Sequence, residues 1–389
     1  MPRRGGGVDD EEDAAVATLS LNTGALLDRL RELGSRLPLP FRRGESFLVL
    51  DVGSSSVKLA EVTHDASGPR VTALASRPLP PTVIQSNVIQ DEEAVADAIR
   101  ALVAETKTQV RSVVTAVPGP AVIVKKVILP GQPGADVESA VYAEAAHLVP
   151  DSLDNVNLDF QVVDWIESGG KMEVLVVAVK KEIINSYTGA IRAAGLEPVL
   201  VDVDYFALEN MYELNYDPPA EGGAVALVNI GARYSSINIL KDGHSSFTGD
   251  VPVGGVELTD ALVRQLGVSA EDAEAIARGH TPAGTDATAV EPVVGSVTEF
   301  LVEEIQRALS FYWTAATDEP LGAVVLSGGP ARVPGLSAQL AQRLGCAVEV
   351  ADPFRRLTVD PRVDRALVEE SGPALAVAVG LATRRPGDK

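Results

Sequence analysis

A single cysteine, Cys346, and four histidines stand in a chain of 389 residues. One thiol cannot close an intrachain disulfide or supply a thiolate zinc site, which reads as a protein of the reducing cytosol. His64, His147, His244 and His280 share no ligand spacing such as H-x-x-x-H, so a histidine metal site has no sequence support. Basic residues are short as well: 33 Lys plus Arg against 54 Asp plus Glu leave a net charge of −21. That field repels nucleic acid and anionic lipid, and argues against a general DNA binder or a polybasic membrane binder. Long apolar runs are missing too. The longest uncharged one, Ala374–Ala382, spans nine residues, where a membrane helix needs about 20. The leading residues are acidic rather than basic-then-apolar and do not read as a secretory signal. Neither G-x-x-x-x-G-K-S/T nor G-x-S-x-G occurs, so a Walker-type ATPase and a serine hydrolase both lack their motif.

What is present is a folding chain. Apolar residues make up 46 % and charged ones 22 %, which excludes wholesale disorder. The length leaves room for two or three units of about 150 residues each. The acidity is uneven. Residues 1–44 hold seven basic and seven acidic side chains, so the rest of the chain carries the whole surplus. Residues 1–18, rich in Gly, Asp and Glu, read as disordered. Leu26, Leu27, Leu30, Leu33 and Leu37 then fall on one helical stripe that Pro38 and Pro40 stop. Such a short helix either packs on the body, or within a linker, or docks on a partner or a membrane surface.

From residue 45 onward strands alternate with crossover helices. Phe47–Val52, the turn Gly53-Ser54-Ser55-Ser56 and Val57–Val62 predict a β-hairpin. A helix over Asp91–Lys107 and a strand Ser112–Val117, ended by Pro118-Gly119-Pro120, follow. A second unit holds the strand Val122–Leu129, a helix over Asp136–Leu148, the alternating Val156–Val163 and the buried-type strand Met172–Val179. The helix Glu182–Ala194 and the strand Pro198–Val203 lead to the Pro- and Gly-rich boundary Asp217–Gly223. Past it the opening pattern returns. Val225–Leu240 superposes on Phe47–Val62, with Asn229 on Asp51 and Gly231 on Gly53, an offset of 178 residues (229 less 51). Ala323–Leu326, ending in Ser327-Gly328-Gly329-Pro330, repeats Val113–Val117. The recurrence predicts a duplicated α/β fold with a cleft between two lobes.

Turns built from Gly and Ser present backbone N–H groups and hydroxyls without a side-chain barrier, which suits phosphate oxygens; two facing turns would clamp a polyphosphate. Asp51, at a strand end, suits Mg²⁺ held through water. Lys58 would set a cation near the β- and γ-phosphates. Singly, each is equally an ordinary turn or a solvated strand residue; the recurrence at Asn229–Ser236 favours the ligand. Gly254-Gly255 opens the helix Val256–Leu266, whose N-terminus favours an anion, against the alternative of a loop without ligand. At Ser327-Gly328-Gly329-Pro330-Ala331-Arg332, before the helix Leu336–Leu344, a flat ring can approach backbone and Arg332 can stack on it. On the helix Val297–Trp313, Glu303, Gln306 and Arg307 share one face, which by spacing alone is as well a solvated face carrying an ion pair.

Together, Asp51-x-Gly53-Ser54-Ser55-Ser56-x-Lys58, Asn229–Ser236, Gly254-Gly255 and Ser327-Gly328-Gly329 resemble the phosphate and adenosine loops of the actin-like ATPase superfamily, over about residues 46–382. The resemblance implies a duplicated, ribonuclease-H-like two-lobe α/β fold with ATP–Mg²⁺ in the interlobe cleft. Glu303–Ser310 resembles the adenosine-contacting helix of DnaK-type chaperones, and Gly328–Pro334 their adenine loop. Within the superfamily, Phe47–Val62 and Tyr142–Val163 are similar to the PilM family of type IV pilus assembly proteins, relatives of the cell-division protein FtsA. The second stretch is the more specific, because it lies in a small inserted α+β subdomain that chaperones and sugar kinases lack.

That likeness divides the chain into an extension at 1–44, a first lobe at 45–118 and 182–218, an inserted subdomain at 119–181, and a second lobe at 219–385 with its outer part at 263–319. It implies a cytoplasmic, ATP-binding adaptor, peripheral at the inner membrane through protein partners. Such an adaptor captures the N-terminal cytoplasmic segment of the membrane protein PilN in a groove at the inserted subdomain, here near Val122–Leu129 and Asp136–Leu148. It thereby joins the platform proteins to the pilus motor ATPase, in pilus biogenesis and twitching motility; a homo-oligomer is compatible with it.

The chain departs from the superfamily in places. Many of these ATPases have Asp where Asn229 stands, which removes one carboxylate from the Mg²⁺ shell. Ala232-Arg233-Tyr234 replaces a small Gly-Gly-Thr stretch, with Arg233 able to reach phosphate instead. An ungapped match of Gly195–Leu214 to the chaperones puts Asp204 where their water-positioning glutamate sits, one methylene shorter. Hydrolysis is therefore expected to be slow or absent, with nucleotide as a structural or switching ligand. Two alternatives share the fold: an active ATPase or sugar-kinase-like phosphotransferase, for which no acidic motif beyond Asp204 is found, and a filament-forming relative of FtsA.

Overall fold

The computed structural model describes residues 46–388 apart from 67, 133–135, 167–168, 220–222, 281, 316–319 and 386. The leading extension and its leucine stripe lie outside the described residues.

Strands β1 (Ser46–Val52), β2 (Ser56–Asp65) and β3 (Gly68–Pro78) form an antiparallel meander. A short hairpin, β4 (Ile84–Gln85) and β5 (Val88–Ile89), leads into α1 (Glu92–Thr106), which starts where Asp91 accepts the N–H of Ala94 at 3.0 Å and stops at the left-handed Lys107. β6 (Ser112–Val117) then lies parallel to β1. β7 (Val122–Pro130), α2 (Val137–Leu148), β8 (Val156–Ile166) and β9 (Lys171–Lys180) make a separate antiparallel sheet, ordered β7-β9-β8, with α2 on one face. After α3 (Lys181–Ala193), β10 (Glu197–Val203) returns to the first sheet beside β6, and α4 (Asp204–Asn215) leads onward.

The second half repeats the first. β11 (Ala224–Ile230), β12 (Ser235–Lys241) and β13 (His244–Val251) form the meander. Helices α5 (Val256–Leu266), α6 (Ala270–Ala277) and α7 (Ala287–Ala315) precede β14 (Leu321–Ser327), and α8 (Leu336–Leu344) precedes β15 (Ala347–Val350). The sheets read β3-β2-β1-β6-β10 and β13-β12-β11-β14-β15, with β16 (Thr358–Val359) added to the first beside β3. Each has two antiparallel ladders followed by two parallel ones. The duplication expected from the 178-residue offset therefore holds strand by strand.

β1 reads as an unbroken apolar run because both of its faces are covered. Leu48 and Leu50 enter a core with α1 and α3, while Phe47 and Val49 face the opposite way. β11 does the same: Ala226 and Val228 face α5 and α7, and Val225 and Leu227 join Phe47 and Val49 in the core between the lobes. That shared core is filled by α4 and by α10 (Ala376–Leu381), which follows α9 (Arg365–Ser371). The two helices touch by their backbones, since a Cβ on Gly380 would stand 1.6 Å from the carbonyl oxygen of Ala207. The apolar stretch at the chain's end is thus an interlobe strut.

Candidate functional site

The cleft between the sheets, about 570 Å³, opens where the two hairpin turns face each other. Both turns close with the same hydrogen bond: the N–H of Gly53 donates to the Ser56 carbonyl, and that of Gly231 to the Tyr234 carbonyl, each at 3.0 Å. Gly53, Ser54, Ser55 and Ser56 line the cleft from one side, and Asn229, Gly231 and Ala232 from the other. Asp51 and Lys58 face each other across the hairpin ladder, and the Lys58 ammonium donates to Asp51 Oδ2 at 2.8 Å. Asp51 therefore meets the cleft already paired with a cation, and an entering divalent ion has to share its carboxylate.

Asp204 is the first residue of α4 and lines the cleft as a buried side chain. Its Oδ1 accepts the N–H of Gly119 at 2.8 Å, and its Oδ2 the Tyr234 hydroxyl at 3.4 Å. Burial above all, then the charges of Asp250 and Asp51, push its carboxyl up to about 8, against the opposing Gly119 N–H. At neutral pH it is mostly protonated. Next to it, the Tyr205 hydroxyl donates to Asp250, whose carboxyl burial raises to about 6. Acidic groups thus run from the first hairpin into the second lobe.

Gly254-Gly255 serves the second hairpin before any ligand. The N–H groups of Gly255 and Val256 donate to the carbonyls of Gly231 and Ala232, both at 2.9 Å, so the donors expected to favour an anion are taken. A Cβ on Gly254 would sit 2.5 Å and 2.6 Å from those two oxygens, which explains the glycine; Gly255 lines the cleft and Gly254 does not. Asn229 Oδ1 accepts the Ser327 hydroxyl at 3.2 Å, holding the two strand ends together, with Ser327 itself buried. Gly328, Gly329 and Arg332 line the far wall together with Glu370, Ser371 and Pro373, the Gly328 N–H donating to the Pro373 carbonyl at 2.8 Å.

Besides Gly254 and Ser327, four expected residues stand outside the cleft wall. Arg233 donates to the carbonyl of Pro81 in the first lobe rather than entering the cleft. Glu303, Gln306 and Arg307 do not line the cleft either. α7 turns Leu301, Val302, Ile305 and Leu309 into its core, so Glu303 and Arg307 fall on the exposed face, where Arg307 pairs with Glu304 at 2.7 Å. The wall expected from α7 is built by α6 and the start of α5, through Glu274, Ala277, Arg278, Leu258 and Thr259. Sequence reasoning missed α6, although Ser269 and Asp272 form its capping pair, the Asp272 N–H donating to Ser269 Oγ at 3.0 Å.

A second cavity of about 400 Å³ lies at the foot of the inserted sheet. Val122 and Ile123 of β7, Val156, Ala178, Ile183 and the Val149-Pro150 corner make it apolar, and the tip of the β4–β5 hairpin closes one side. α2 itself contributes nothing to its wall; the chain just past α2 does. Pro118 lines the cleft and Pro120 this cavity, so the two spaces flank one short segment centred on Gly119, which Asp204 holds.

The profile of the type IV pilus assembly protein PilM matches residues 49–386. The chain belongs to the PilM family of type IV pilus assembly proteins. A solved PilM–PilN type IV pilus biogenesis complex is similar to it at 30 % identity and a TM-score of 0.72, over 87 % of this chain and 99 % of that one. The ethanolamine utilization protein EutJ from Carboxydothermus hydrogenoformans shares the fold, with a TM-score of 0.51 and 18 % identity over 92 % of this chain and 96 % of its own. The cell division protein FtsA of Bacillus subtilis (strain 168) is 28 % identical over 203 residues, 47 % of this chain and only 45 % of FtsA. The fold is thus the duplicated actin-like one, and the PilM family places the chain in pilus assembly. Among the described residues no helix is long and apolar enough to cross a membrane. Nor, among them, do three or more His, Cys, Asp or Glu side chains gather to hold a metal ion.

Proposed function

We propose that this chain is an ATP-binding adaptor of the type IV pilus platform, cytoplasmic and held at the inner membrane by its partners. In this reading the cleft takes ATP between its two hairpin turns, and the apolar cavity takes the N-terminal cytoplasmic segment of a PilN-like membrane protein. The adaptor joins that protein to the pilus motor.

The carrying observation is the pair of facing hairpin turns, Gly53–Ser56 and Gly231–Tyr234, closed by one repeated hydrogen bond, at the mouth of a cleft large enough for a nucleotide. Ser54, Ser55 and Ser56 offer hydroxyls to phosphate oxygens, and Arg332 offers a planar cation to a ring. Asp51, at the strand end beside the first turn, would hold Mg²⁺ through water, while Asn229, neutral and tied to Ser327, adds no charge to the site. Bound there, the ion neutralises phosphate charge.

Asp204, mostly protonated and hydrogen-bonded through both oxygens, is a poor proton acceptor for an attacking water. Turnover by the purified chain is accordingly expected far below the usual ~1–10³ s⁻¹. Titration calorimetry with ATP, with and without Mg²⁺, tests the reading. Saturable binding that Mg²⁺ strengthens supports it, and no binding at millimolar nucleotide removes it. In Asp51→Ala the strengthening by Mg²⁺ should vanish while binding of ATP alone persists through Lys58.

A further inference from the structure

We infer that Ser86 and Asn87, at the tip of the β4–β5 hairpin, hold the main chain of the extended segment whose apolar side chains fill the cavity below the inserted sheet. The inference rests on the peptide capture proposed above and assigns it a specificity element outside that sheet. An extended peptide brings one N–H and one C=O per residue, and an apolar cavity that leaves them unpaired binds it poorly. Side chains on the cavity wall that can both donate and accept are scarce. Lys180 is tied to Asp151 at 3.2 Å, and an ionised Glu182 only accepts. Ser86 and Asn87 remain, both on the wall, and among the described residues neither side chain has a hydrogen-bond partner.

Their backbone supplies an independent observation. Gln85 pairs with Val88 around a two-residue turn in which Ser86 has φ 49° and Asn87 φ 65°. Such a turn favours Asn or Gly at both places. Asn87 suits its position, whereas Ser86 occupies a left-handed conformation that Gly would adopt without strain. The chain therefore keeps a hydroxyl at the rim of this cavity where the turn alone would favour its loss. The Asn87 amide, with two donors and a carbonyl acceptor, can pair with both main-chain groups of one peptide residue.

Ser86→Gly and Asn87→Gly both preserve the positive φ and should fold. The probe is a synthetic peptide of the N-terminal cytoplasmic segment of the chain's PilN-like partner, fluorescently labelled and titrated with the full chain. We expect Asn87→Gly to weaken binding about 10-fold and Ser86→Gly about 3-fold, while Ser86→Gly leaves the thermal midpoint equal or higher. Peptides methylated at single backbone nitrogens add a readout that mere hairpin damage would not move. One of them should lose affinity for the wild-type chain and lose no more for Asn87→Gly. Equal binding by wild type and both variants overturns the inference and leaves peptide capture standing. Failure of the wild-type chain to bind the peptide overturns the capture, and the inference with it.

Discussion

Asp204 shows how a single side chain changes meaning once its surroundings are known. A match of residue order sets it where a water-positioning glutamate stands in chaperones, but its protonation depends on burial first, then on the charges of Asp250 and Asp51 against the N–H of Gly119, groups from different parts of the chain. The pH dependence follows in sign. A carboxyl raised to about 8 in the folded chain keeps a proton that the unfolded chain releases near pH ~4. Stability is therefore lost as pH climbs between those values. Asp204→Asn keeps the acceptor for Gly119 and removes the titration, so its thermal midpoint should gain on wild type at pH 8.5 relative to pH 5. An equal difference at both pH values would mean that Asp204 is charged in the fold. The Asp51–Lys58 pair is a similar case: the sequence marks both residues, while only the ladder register sets them opposite each other.

At the scale of elements, the parts legible in the sequence are those written twice. The hairpins at Phe47–Val62 and Val225–Leu240 were visible because strands covered on both faces and Gly turns leave a pattern that survives duplication. Helix faces were less legible. Glu303, Gln306 and Arg307 share a side of α7, yet spacing alone cannot say whether that side meets a ligand or water, and α6 forms the wall instead. The roles of Gly254 and Gly380 are not legible in residue order, because the carbonyls that face them come from Gly231, Ala232 and Ala207, distant in the chain. Gly380→Ala drives a methyl into the Ala207 carbonyl, with no side chain to give way, and should cost at least ~2 kcal/mol. Chemical denaturation checks it. A change under ~0.5 kcal/mol would mean that α4 and α10 separate easily.

For the whole molecule, the acidity that first excluded nucleic acid and lipid as general partners now belongs to two lobes with a cleft between them and an apolar cavity at the inserted sheet. The PilM family carries the pilus assembly role. Its two proposed ligands differ in kind, a polyphosphate for the facing hairpin turns and an apolar segment for the cavity, and the Pro118-Gly119-Pro120 segment lies between them. The most direct measurement is fluorescence anisotropy of the labelled partner segment titrated with the full chain and with Ile123→Glu, which puts a charge on the cavity wall. The account predicts saturable one-to-one binding by wild type and a loss of at least ~10-fold in the variant. Equal binding by both, or none by wild type, would contradict it.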